Sequence, residues 1–204
     1  MNENLTFVSP KQRRTRQAIL DMAMQMYSRG LEPTVAEVAG EAGVSRATAY
    51  RYFPTQGALV TAMVEQSLGP LMHWQSDEPM VDARIRSLFG HAWPRLFTYE
   101  GVLRSALKVS LDQWARTTEG TLHETLTRGN RIRILRRALA PLEEHLSPSS
   151  YDNLLKSLAV VYGTEALVVL KDIAGSDNNE VMRITEWMAI ALLEKAQRES
   201  QSGL

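Results

Sequence analysis

No cysteine occurs among the 204 residues. Its absence excludes a disulfide framework, a thiolate zinc site and a thiol nucleophile, and it suits a cytoplasmic protein. Net charge is also lacking, since 23 Lys and Arg balance 23 Asp and Glu. That balance argues against a nucleic-acid binder working by bulk charge alone. No uninterrupted apolar run is long enough to span a bilayer, and MNENLTFVSPKQRRTR lacks the apolar stretch of a secretory signal. The expectation is a soluble, cytoplasmic chain with no membrane partner. Catalytic vocabulary is missing: there is no G-x-S-x-G, no glycine-rich phosphate loop and no carboxylate pair that defines a cleft. His73, His91, His123 and His145 form no H-E-x-x-H and no i, i+4 pair. No metal, no cofactor and no enzymatic activity are therefore expected. Strand-like alternation, internal repeats and low-complexity segments are absent as well.

What remains is helical periodicity in a chain of ordinary globular composition, 44% hydrophobic and 23% charged. The densest information lies in TVAEVAGEAGVSRATAYRYF, residues 34 to 53. Thr34 followed by Glu37 spells a capping box. Val35, Val38, Ala39 and Ala42 give one apolar face, and Gly43 supplies a left-handed stop. Val44 fills the corner, and Ser45 caps a second helix bearing Arg46, Thr48, Tyr50, Arg51 and Tyr52 beside small Ala47 and Ala49. Two short helices joined this tightly make a helix-turn-helix. In a DNA reader the N-terminal part of the second helix faces base edges, which is where Arg46 and Thr48 fall. By spacing alone, the same pattern also suits an αα-hairpin with no nucleic-acid role.

The wording of the stretch, with PTQGALVTAMVE after it, resembles the N-terminal domain of the TetR family of transcriptional regulators. Thr34, Ala39, Ala42, Gly43, Val44, Ser45, Thr48, Tyr50, Phe53 and Leu59 match the family pattern, and the resemblance covers about residues 12 to 65. Gln56 stands where the family usually has a phosphate-contacting lysine, and Ala49 where it has a larger aliphatic residue. Gln56 can still donate to a phosphate, but it releases no counterion. The resemblance implies contact with double-stranded DNA through Thr34, Ser45, Arg46, Ala47, Thr48, Tyr50, Arg51, Tyr52 and Gln56.

Residues 1 to 56 hold seven basic and five acidic groups, so this portion is positive by two and the remainder negative by two. Four of the seven lie between Lys11 and Arg16, a cluster able to grip phosphates. The first helix is expected from about Arg13 to Arg29 on Ile19, Met22, Ala23, Met26 and Tyr27, with Gly30 as its stop. Pro54 ends the recognition helix, and Thr55 caps a fourth whose inner side is Leu59, Val60, Met63 and Val64. Gly69-Pro70 marks the expected boundary between a DNA-binding domain, 1–68, and a second domain, 69–204.

Beyond the loop at 73 to 79, helices are expected at 83–99, 102–116, 122–146, 150–174 and 179–199. Pro94 and Pro141 should each end or kink the helix that contains them. The fold is thus all-α, about nine helices: a helix-turn-helix domain followed by a helical ligand-binding and dimerisation domain. The last two helices carry broad apolar faces that need partners. The resemblance implies a homodimer built on them, through Leu154, Leu158, Val161, Tyr162, Glu165, Val168, Val169, Ile184, Trp187, Met188 and Ala191. It also implies a small-molecule effector in the same domain. Large apolar residues there, Met72, Trp74, Trp93, Phe97, Leu107, Leu111 and Trp114, are the candidates for contacting it. Arg128, Arg131, Arg133, Arg136 and Arg137 spread around a helix and read as a solvated face. The implied function is a repressor released from a palindromic operator by an apolar or aromatic effector. The alternative is a helical interaction or architectural protein.

Overall fold

A computed structural model describes residues 9–118 and 130–201. Ten α-helices run through them: α1 Pro10–Ser28, α2 Val35–Glu41, α3 Arg46–Tyr52, α4 Gln56–Leu68, α5 Val81–Thr98, α6 Glu100–Thr118, α7 Asn130–Leu139, α8 Pro148–Val161, α9 Thr164–Val168 and α10 Asn178–Gln201. No strand occurs among the described residues. His123, Arg128 and the first part of the helix expected at 122–146 lie outside them.

The chain forms two compact units, one of residues 1–66 with 104–126 and the other of 67–103 with 127–204. In the N-terminal unit, α1 starts earlier than its apolar stripe suggests. Ser9 accepts from the Gln12 amide at 3.2 Å while the Gln12 side chain accepts from the Ser9 amide at 2.8 Å, and Pro10 occupies the first helical position. The cluster Lys11 to Arg16 therefore lies on a formed helix. Ile19, Leu20, Ala23 and Tyr27 of α1 bury with Val35, Val38 and Ala39 of α2, Ala49 of α3, Phe53, and Leu59, Val60 and Met63 of α4. Burying a side chain of Ile or Leu size stabilises by roughly 1.5–3 kcal/mol, so this core drawn from four helices holds α2 and α3 in place although each has only seven residues.

In the other unit, α10 packs against α5 and α8, and α7 against α5 and α8. Ile85, Leu88, Phe89 and Trp93 of α5, Leu135 and Leu139 of α7, and Leu158 of α8 form its fully buried centre. Pro141 ends α7, which passes into a 3-10 turn at Ala140–Leu142. Pro94 behaves otherwise, because α5 continues through it to Thr98. Asp177 caps α10 by accepting from the Glu180 amide at 2.8 Å, with Glu180 reciprocating at 3.2 Å.

The single helix expected over 150–174 is broken. α8 ends at Val161, Gly163 adopts φ +134°, α9 starts at Thr164, and a π-helical turn follows at Val169–Ile173. The pair is bent by 44°. This division raises the helix number from nine to ten. No single described helix is long and apolar enough to cross a membrane.

Candidate nucleic-acid interface

The turn between α2 and α3 is built from local hydrogen bonds. Thr34 accepts from the Glu37 amide at 3.2 Å and donates its hydroxyl to the Glu37 carboxylate at 2.8 Å, while that carboxylate accepts from the Thr34 amide at 2.7 Å. These bonds, the Thr34 backbone first, hold the Glu37 carboxyl below its ordinary value. At the far end of α2, Gly43 sits at φ +66°. Its amide donates to Gly40 and the Val44 amide to Ala39, the double closure of a Schellman motif. Ser45 then accepts from the Thr48 amide at 3.2 Å and starts α3.

These bonds decide what α3 presents. Ala49 is buried in the N-terminal core, whereas Arg46, Ala47, Tyr50 and Arg51 are exposed and Thr48 and Tyr52 are half-buried. The smallness of Ala49 lets the α3 backbone lie close to that core. Arg51 lies over the Tyr52 ring at 5.4 Å, and Arg16 over Phe53 at 5.2 Å. Lys11, Arg13 and Arg14 are exposed on α1. Thr34 and Ser45 spend their hydroxyls on caps and on Glu37 and Thr48, so they act on the surface chiefly by orienting α2 and α3.

Gln56 is placed otherwise than expected. Its amide nitrogen donates to the Pro33 carbonyl at 2.9 Å and to the Tyr27 hydroxyl at 3.2 Å. Both N–H groups are thereby occupied. Gln56 ties α4 to α1 and to the segment leading into α2 and is no free phosphate donor. Residue order does not disclose these partners, since Tyr27 and Pro33 lie 29 and 23 residues away in sequence.

Residues expected to contact an effector fall in different settings. Trp74 and Trp93 are core, Met72, Phe97 and Leu107 are half-buried, and Leu111 and Trp114 are surface residues, Trp114 being 71% exposed. None of the seven lines the cavity of about 60 Å³ in the helical unit, whose wall includes Leu71, Leu96, Ile134, Arg131 and Tyr162. The two candidate aromatic residues of α5 are engaged in packing: Trp93 stacks on Phe97 at 5.5 Å and meets Tyr162 edge-on at 6.2 Å. Arg131 is also corrected. It turns inward, donating to the Ala159 carbonyl at 2.7 Å and to Glu165, so it is not part of a solvated face.

On the helices expected to pair with a second copy, Leu154, Leu158 and Tyr162 are buried in their own protomer. They pack inward because the inner stripe of α8 serves the core first. Val161, Glu165, Val168, Ile184 and Met188 are half-buried, and Val169, Trp187 and Ala191 are exposed. Val160 and Ile173, exposed at 70% and 80%, join this surface. Ile173 ends the π-helical turn that follows α9. No group of side chains able to hold a metal ion occurs among the described residues.

Residues 19–63 match the family model for bacterial regulatory proteins of the tetR family. In fold, the chain is similar to a tetR-family transcriptional regulator from Streptomyces coelicolor, with a TM-score of 0.68 at 20% identity over 93% of this chain and 86% of that one. It is similar also to a TetR transcriptional regulator from Rhodococcus sp. RHA1, with a TM-score of 0.63 at 16% identity over 90% and 97%. No curated protein matches the chain in sequence. The helix-turn-helix within residues 19–63 is thus similar to that of the tetR family of bacterial regulatory proteins, and it is set in an all-helical fold shared with two regulators of that kind.

Proposed function

We propose that this transcriptional regulator is a ligand-responsive repressor, a homodimer that leaves a palindromic operator when a small apolar or aromatic effector binds. The observation that carries the reading is α3, whose Arg46, Ala47, Tyr50 and Arg51 are exposed above a buried Ala49. Arg46 and Thr48 read base edges in the major groove, and Tyr50, Arg51 and Tyr52 hold the backbone. Thr34, Ser45 and Gln56 support that surface from behind. Residues 1–68 form the DNA-reading domain, and 69–204 bind effector and partner. Two copies of α3 then meet half-sites roughly 34 Å apart.

Dimerisation uses the apolar surface of α8 to α10, with Val161, Glu165, Val168, Val169, Ile184, Trp187, Met188 and Ala191 joined by Val160 and Ile173. Exposed Trp187, 71% accessible, is the anchor of that surface, since large aromatic residues dominate interface energetics. Binding of effector shifts the two α3 helices out of register with the operator, an allosteric coupling between two states.

Footprinting on the DNA upstream of the gene tests the reading directly: protection of one palindrome supports it, and uniform weak binding removes it. Arg46→Ala should cost about 1–3 kcal/mol and relax discrimination at one base pair. Equal weakening on every sequence would make Arg46 a phosphate contact. Trp187→Glu should yield monomers in sedimentation at micromolar concentration; an unchanged dimer would place the interface elsewhere.

A further inference from the structure

The break between α8 and α9 borders the cavity of about 60 Å³. Gly163, at φ +134°, adopts a backbone that other residues rarely reach, and a Cβ built there would lie 2.7 Å from the Arg131 guanidinium. That guanidinium donates to Ala159 and Glu165, which uses two of its five N–H groups and balances its charge. Tyr162 is buried, its ring stacked on Phe89 at 5.3 Å and met by the edge of Trp93. No hydrogen bond within the described residues engages its hydroxyl, which, unlike the sealed Trp93 Nε1 and Ser105 Oγ, keeps some accessible surface on a residue that lines the cavity. Burial pushes this phenol up from its ordinary value, Arg131 pulling it back only in part, so the hydroxyl remains a donor at working pH. The opposite wall, with Leu71, Leu96 and Ile134, is apolar.

We infer that this cavity takes the carbonyl head of a small, uncharged organic molecule. The Tyr162 hydroxyl and the remaining Arg131 N–H groups donate to its oxygen, and its short apolar tail lies against Leu71, Leu96 and Ile134. The unused Arg131 N–H groups can only donate and the Tyr162 hydroxyl can also donate, so one ligand acceptor serves both, beside Asn130 and Thr164 on the same lining. Glu165 already neutralises Arg131, so a carboxylate would enter without a counter-charge. An apolar cavity of about 150 Å³ accepts benzene; this one accepts something smaller, such as a short ketone. The inference rests on the reading of residues 69–204 as the effector domain.

Ligand-observed NMR on the full chain without DNA, with methyl ketones from acetone to 2-hexanone and butyrate as the charged control, tests this. Saturable binding of the shorter ketones, lost as the tail outgrows the cavity and absent for butyrate, is expected. Tyr162→Phe should leave the unfolding temperature unchanged or raised while weakening ketone binding about tenfold, the worth of one buried hydrogen bond. Three results overturn the inference: no ketone binding, which leaves a merely hydrated cavity; equal binding by Tyr162→Phe; or a lowered unfolding temperature in that variant. Ketone binding that leaves operator affinity unchanged refutes the effector role of residues 69–204 while the cavity assignment stands.

Discussion

The turns at Gly43 and Gly163 are both made around a glycine with positive φ, and they are held in different ways. At Gly43, φ +66°, the flanking caps Thr34 and Ser45 lie within nine residues, and nothing approaches within 4 Å of where a Cβ would stand. At Gly163, φ +134°, the guanidinium of Arg131 fills that space and bonds both sides of the break, from a helix 28 residues before Ala159 and 34 before Glu165. The first turn is a local device that any neighbouring core can accept. The second is a tertiary device whose shape depends on another helix.

Substituting the glycines breaks the comparison most directly. Gly163→Ala should destabilise by about 3 kcal/mol or more, because backbone strain adds to expulsion of Arg131. Gly43→Ala should cost only about 1 kcal/mol. Thermal unfolding measures both; equal losses would mean that Arg131 contributes nothing to the break. Arg131→Ala should cost about 2 kcal/mol by leaving the Ala159 carbonyl and Glu165 without their donor. It should not rescue Gly163→Ala, since the positive φ persists.

Local devices give smaller effects. Thr34→Ala removes a capping box and should cost about 1 kcal/mol in denaturant unfolding. Gln56→Met loses the bonds to Tyr27 and Pro33 and should cost a similar amount, about 1 kcal/mol, without altering the salt dependence of DNA binding. If Gln56→Met weakened binding equally on every DNA sequence while its fold stayed intact, Gln56 would touch phosphate after all. Gln56→Lys should steepen that slope by about 0.9 if the new ammonium reaches a phosphate.

The smallest effect concerns Glu37, whose folded pKa is depressed by the Thr34 backbone and hydroxyl. A depressed carboxyl contributes stability above its unfolded value and loses that contribution as pH falls through the folded one. Glu37→Gln should therefore flatten the acid limb of the stability curve below the ordinary carboxylate range. A limb of unchanged slope would show that the capping box does not titrate.

The legibility of each region follows the range of the interactions that shape it. Thr34, Gly43, Ser45 and Thr55 act on amides within three or four residues, so α2, α3 and the start of α4 could be placed from residue order. Pro141 likewise ends α7, but Pro94 does not end α5, because the packed α5 core outweighs one missing bond. Gln56 and Arg131 looked like solvent-facing polar residues in sequence. Their partners Tyr27, Pro33, Ala159 and Glu165 are 23 to 34 residues away, beyond the reach of any periodicity. Trp114 and Leu111 illustrate the opposite error, since an apolar side chain at helical spacing does not disclose which elements cover it.

By itself, the order of residues determined the all-helical class, the helix-turn-helix with its caps, and the outward display of Arg46 and Tyr50. Hydrogen bonds closed within a turn and apolar residues repeating each turn are written into the chain and need no distant partner. Only the tertiary structure decided that α8 and α9 part at Gly163, that Gln56 and Arg131 face inward, and that Tyr162 lines a cavity. Those outcomes depend on which helices come to lie together, and the free energy of packing chose them over the uniform helix that local preference favours.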